Sequence, residues 1–148
     1  MSSFQFAVAP SIPLTKPIRI RVRLDDVMLQ DVPFEAMKIR VLRGRDVEAQ
    51  DVGLAFSASD RVKLDNVTCA GGVSMCVRSD GNVRVSGAFI TGGDVGVGGG
   101  KVKLLDSDVQ GNVLDVQSTK PPKIKSSVCG TSGDHSDPPV TWGVCSLD

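Results

Sequence analysis

The sequence predicts an all-β solenoid of about six stacked coils, with three short strands in each coil. Three observations predict it. Apolar residues alternate with polar ones in short runs, the period of two that belongs to strands and not to helices. Gly, Asp, Asn and Ser punctuate those runs with turn chemistry. The first inward residue of each coil recurs at Ile20, Ile39, Val62, Val83, Val102 and Ile124, a spacing of about 21 residues, within the repeat range of solenoids. One such coil cannot bury its apolar face alone, so it requires copies above and below.

Taken in order, residues 1–17 carry three prolines and no period, and are expected to be a lead-in or linker. The repeating region spans 18–128. Coil one presents Ile20, Val22 and Leu24, then Val27 and Leu29, then Val32 and Phe34; coil two presents Ile39 and Val41, then Val47 and Ala49, then Val52, Leu54 and Phe56. Coil three, residues 61–82, is the clearest: Val62 and Leu64, Val67 and Cys69, then Val73, Met75 and Val77. Val83, Val85, Ala88, Ile90, Val95 and Val97 make the fourth, and Val102, Leu104, Val109, Val113 and Val116 the fifth. Ile124 and Val128 begin a sixth.

A tight bend is expected after each second strand, at Gln30-Asp31, Gln50-Asp51, Gly71-Gly72, Gly92-Gly93-Asp94 and Gly111-Asn112, because these residues tolerate left-handed backbone. The other corners, residues 42–46 among them, are expected to be longer and to vary. Residues 129–148 lose the period and read as an irregular C-terminal cap with Trp142 laid over the last coil. No amphipathic helix is seen to cap an end, which points to an end-to-end self-association, to a larger parent chain, or to a cap made from irregular chain.

At 148 residues the chain is one domain by size, rich in Val, without Tyr and with a single Trp. β-Branched residues suit a pleated, half-buried surface. Seventeen basic and seventeen acidic residues cancel, so no global field draws the chain to nucleic acid or membrane. No stretch approaches a membrane span. The N-terminus lacks signal-peptide features and reads as the start of a mature or excised domain. Four cysteines allow three connectivities. Cys129–Cys145 is the expected disulfide, stapling an irregular end, whereas the redox state of Cys69 and Cys76 stays open, the plainer reading of the inward Cys69 being a buried free thiol. The even count and the Gly-rich turns point to an oxidising, extracellular or secreted setting. Asn66-Val67-Thr68 is a glycosylation sequon on a turn, relevant where the chain passes through a eukaryotic secretory pathway.

Three short strands in a coil of about 21 residues, with an Asx/Gly bend after the second, resemble the right-handed, single-stranded parallel β-helix of the pectate-lyase-like superfamily. The resemblance covers roughly residues 18–128 and is one of repeat pattern, without any catalytic signature. It implies a groove for saccharide over the first strand of each coil. Members include polysaccharide lyases, glycoside hydrolases, epimerases, phage tailspikes and adhesive modules. This chain departs from the enzymes in having fewer coils and short corners.

Between its inward residues, the first strand of each coil places Arg21, Arg40, Lys63, Arg84, Lys103 and Lys125. Stacking is expected to align them about 4.8 Å apart as a basic ladder. Arg19, Arg23, Lys38, Arg61, Lys101 and Lys123 flank it, and acids gather at the corners, among them Asp46, Asp65 and Asp106. Outward strand positions are commonly charged, but a purely solvated face should mix signs, since like charges across strands repel. The ladder is therefore the candidate ligand-binding surface, with an anionic polysaccharide as its expected partner.

No catalytic residues stand out. A glycosidase needs two carboxylates facing one groove, and Asp65 with Asp106 or Asp46 would supply such a pair only by accident of abundance. The single histidine, His135, lies in GDHSDPP, which reads as plain cap and not as a metal loop, and no cofactor is implied. GGDVGVGGGK, residues 92–101, fails the phosphate-loop pattern: Val95 stands where Gly is needed and Val102 where Ser or Thr is needed. No aromatic residues interleave the basic ladder, which argues against nucleic acid. The expectation is a non-catalytic extracellular module that binds an anionic polysaccharide or supports an assembly. A small polysaccharide lyase, hydrolase or epimerase is the alternative, and a structural fibre or wall component the third.

Overall fold

A strand with one apolar face needs a neighbour to cover its backbone edge and its side chains together, and here the next coil supplies both. The computed structural model describes residues 2–3, 20–30, 39–70 and 73–148. Among them no helix occurs, and twelve strands join in one continuous, all-parallel sheet wound into a β-solenoid of about five turns. The strands are β1 (Ser2–Ser3), β2 (Ile20–Gln30), β3 (Ile39–Gln50), β4 (Leu54–Ala58), β5 (Arg61–Cys69), β6 (Met75–Ile90) and β7 (Val95–Leu105), then β8 (Asp108–Val109), β9 (Leu114–Ser118), β10 (Lys123–Lys125), β11 (Val128–Cys129) and β12 (Ser132–Gly133). The expected strand at Val32 and Phe34 lies outside the described residues, as does most of the 1–17 lead-in, of which Ser2–Ser3 pairs in parallel with Val27 and Met28.

The turns divide the sheet into three faces. The first stacks residues 20–25, 41–45, 61–65, 82–86, 101–105 and Lys123–Lys125. The second stacks 27–30, 47–50, 67–69 and 88–90, then β8 and β11. The third stacks β4, residues 75–79, 95–99, β9 and β12.

The corner between the first and second faces differs from the expectation of a long, variable connection at 42–46. It is a single left-handed residue, at the same place in every coil: Asp26, Asp46, Asn66, Gly87, Asp106 and Ser126, with φ between 46° and 60°. A non-glycine residue in that region costs roughly 1–2 kcal/mol, and Asp and Asn are among the side chains that visit it most readily. One such residue bends the chain without interrupting the ladder on either side, as Asp25 with Arg45 and Val27 with Val47 show. Asp51, Gly92 and Gly111 do the same after the second face, where a tight bend is expected.

The core is a set of columns. Leu42, Val62, Val83 and Val102 form one, and Leu24, Leu64, Val85 and Leu104 another, all at 5% exposure or less. Phe56, Val77, Val97 and Val116 form the column of the third face, each with no exposed surface. Within the second of these columns Gly44 makes room for a large neighbour: a Cβ there would stand 2.7 Å from Leu64 Cδ2. The Gly-rich run is likewise a matter of packing. From Val95 on it lies in β7, and a Cβ at Gly96 or Gly100 would meet a carbonyl oxygen of the adjacent coil, of Asp115 at 2.7 Å or Asp80 at 2.5 Å.

Some inward assignments are corrected. Leu42, not Val41, is buried, because the register shifts between Ile20 and Arg21, whose partners are Ile39 and Val41, leaving Arg40 as an extra residue. Met75 is half-buried while Cys76 turns inward, and Val113 and Val128 are exposed. Cys69 is not a free thiol: it is bonded to Cys76 across the corner between the second and third faces, with Cα atoms 6.0 Å apart. The second disulfide, Cys129–Cys145, has Cα atoms 5.0 Å apart.

The C-terminal segment folds back on the last turns. Asp115, 2% exposed, holds it: one carboxylate oxygen accepts the Asn112 backbone N–H and side-chain amide at 3.0 and 2.8 Å, the other the N–H groups of Gly130 and Thr131 at 2.9 and 2.8 Å. Trp142 Nε1 donates to the Ser118 carbonyl at 3.2 Å. Asp148 accepts from the Ser132 hydroxyl and from the N–H groups of Ser132, Val144 and Cys145. Burial pushes the Asp148 carboxyl up, but these hydrogen bonds together outweigh it and hold the group below the usual carboxylate range.

Candidate functional site

The outward residues of the first face alternate with its core, so whatever repeats outward is aligned by the same hydrogen bonds that align the core. One outward column is basic at every rung: Arg23, Arg43, Lys63, Arg84, Lys103 and Lys123. Five are exposed and Lys103 is partly so. Adjacent rungs lie about 4.8 Å apart. Two unit charges at that spacing repel by about 0.9 kcal/mol in water, which nothing in the backbone demands. Among the described residues only Arg23 of the six has an ion-pair partner, Asp25 at 3.1 Å.

Of the residues expected to stack, Lys63, Arg84 and Lys103 do so. Arg21 lies one outward position earlier, opposite Val41. Arg40 falls in the bulge, and its Nε–H donates to Asp60. Lys125 stacks on Leu105. Arg23 and Lys123, flanking residues by alternation alone, and Arg43 complete the column instead. On one side it is bordered by Arg21, Val41, Arg61, Asn82 and Lys101, and on the other by Asp25, Arg45, Asp65, Ser86, Leu105 and Lys125, where the signs mix.

Over the first three coils this face carries two adjoining shallow depressions of about 370 and 310 Å³ that share Arg21, Val41 and Arg61. A third, of about 270 Å³, lies where Gly98 and Gly99 leave the third face bare beside Arg78 and His135.

The corner carboxylates have local work. Asp46 accepts the Asn66 side-chain amide at 2.6 Å, Asp65 accepts the Ser86 hydroxyl, and Asp106 is itself a left-handed corner residue. Asn66 is exposed at the same corner position as Asp46, so the bend accounts for an Asn there whether or not a glycan is attached. In the GDHSDPP loop, Asp134 accepts from Ser136 and the Val140 N–H, and the Ser136 hydroxyl followed by these backbone bonds holds its carboxyl below the usual range. His135 Nε2 lies 3.3 Å from the Gly99 carbonyl oxygen. Among the described residues no three of His, Cys, Asp and Glu come together as metal ligands would, and no helix is long and apolar enough to cross a membrane. Sequence reasoning missed Asp115, which no motif marks. No family model, curated protein or solved structure matches the chain, and its likeness to the pectate-lyase-like superfamily rests on the coil pattern alone.

Proposed function

We propose that this chain is a non-catalytic, extracellular β-solenoid module whose first face binds an anionic polysaccharide lengthwise. The observation that carries the reading is the unbroken basic column, Arg23 to Lys123, on six successive rungs. Each cation is individually weak and screened by salt, but a polymer with regularly spaced anions engages many at once, and the sites then act at high effective concentration. Two disulfides fit an oxidising compartment, which is where such polymers are met.

The test is retention on immobilised polygalacturonate at low and moderate salt. Replacing Lys63, Arg84 and Lys103 together by Gln should weaken retention at least tenfold and flatten its salt dependence. Arg78→Gln, on the outward side of the third face, should leave it unchanged. Undiminished binding by the triple variant removes the ladder from the account, and unsaturated or reducing-end products from a polyuronate panel would overturn the non-catalytic part.

A further inference from the structure

The basic face is not uniform along its axis. Its first three rungs are dominated by arginine and its last rungs by lysine, and the two depressions described above lie at the arginine end. The cause is the bulge at Arg40. By inserting one residue, it brings Val41 to the outward position between Arg21 and Arg61 and displaces the Arg40 guanidinium sideways towards Asp60. The rung between two arginines thus carries a short apolar side chain, and a notch opens there. Bulges re-aim side chains in this way.

Among the described residues, the notch of about 310 Å³ is lined by Arg21, Arg23, Arg43 and Arg61 around Val22 and Val41, and Asp25 pairs with Arg23 at 3.1 Å. Its neighbour adds Arg40, with Asp60 beside it. A guanidinium is a rigid fork that meets oxyanions two bonds at a time, and a single carboxylate is satisfied by one fork. With Arg23 engaged by Asp25, the three remaining forks around one cavity, of Arg21, Arg43 and Arg61, still exceed what a carboxylate can use. They match a tetrahedral group with three outward oxygens, which carries one negative charge as a sulfate ester and close to two as a phosphate monoester.

We infer that this notch is a discrete subsite for a tetrahedral oxyanion, a sulfate or phosphate ester carried on the anionic glycan. The inference rests on the polyanion reading for the carrier, but not for the site. The lysine rungs then hold the rest of the chain as point charges, while the arginine end sets which substituent is recognised and where along the face it sits.

The experiment titrates the intact protein with sodium sulfate, and separately with sodium phosphate, replacing acetate at constant ionic strength, while the amide resonances of Val22 and Val41 are followed. Saturating shifts with sulfate or phosphate are expected, and the anion that gives them identifies the substituent. The Arg21→Lys/Arg61→Lys pair keeps the charge and, at exposed positions, the fold; it should weaken saturation at least tenfold. Arg78→Gln, exposed on the third face and outside the basic column, should not. Absence of saturation with both anions, or an Arg-to-Lys pair that binds as well as the parent, overturns the subsite. Polygalacturonate retention measured on the same samples separates the two readings: if it persists, only the notch falls, and if it too is absent, both fall.

Discussion

The coils and the C-terminal segment are held by opposite means. In the coils, the inward apolar side chains meet their equivalents one turn away, so Val62, Leu64 and Val77 are buried without polar help. The segment after Cys129 leaves the coil repeat. There the N–H groups of Gly130 and Thr131 turn to the buried Asp115 carboxylate, those of Val144 and Cys145 to Asp148, and a disulfide ties Cys129 to Cys145. Where repetition stops, side-chain carboxylates and a covalent bond take over the pairing that the next coil would have supplied. The two regions should therefore fail differently.

The largest effect is expected in the coils. Leu64→Ala removes a fully buried side chain from the middle of a column and should lower stability by about 4 kcal/mol; denaturant unfolding would show one cooperative loss. A loss confined to one coil would break the picture of a shared core. Asp115→Ala comes next. It strands the N–H groups of Gly130 and Thr131 and should cost about 3 kcal/mol. Its signature should be local: hydrogen exchange should accelerate in residues 129–148 before it does in Val62 or Val83. Equal acceleration everywhere would mean that the two regions are one unit.

The smallest effect is a pH step. The folded Asp148 carboxyl titrates below its ordinary value, so its stabilising contribution is fully present above the unfolded pKa of about 3.9 and is lost as pH falls through the lower folded value. Exchange protection of the Val144 and Cys145 amides, which Asp148 accepts, should therefore drop below about pH 4. In Asp148→Asn the step should vanish. A step that survives the substitution assigns it to another carboxylate, Asp134 first, whose pKa is lowered in the same direction.

How much of this was legible depended on whether a residue's side was fixed by parity. In coil three, Arg61-Val62-Lys63-Leu64 leaves no ambiguity, and its core and its ladder cation are readable directly. In Ile39-Arg40-Val41-Leu42-Arg43-Gly44, two apolar residues stand side by side and a glycine occupies an inward position, so alternation cannot reveal the bulge. That one residue displaced Arg40 from the expected ladder, and with it hid Arg43. The six-fold left-handed corner was visible as Asp and Asn but mistaken for part of longer connections, because a single-residue bend leaves no run of turn residues. Asp115 was illegible for a different reason: its partners are backbone N–H groups brought near by the fold, and backbone carries no sequence signal.

The register of the first face has a metrical consequence. Five intervals of about 4.8 Å make the column from Arg23 to Lys123 roughly 24 Å long. Its graduations are set by peptide hydrogen bonds and not by flexible side chains. The face is in effect a ruler: its tick marks can be erased one at a time by mutation, but their pitch cannot be changed without taking the coil apart.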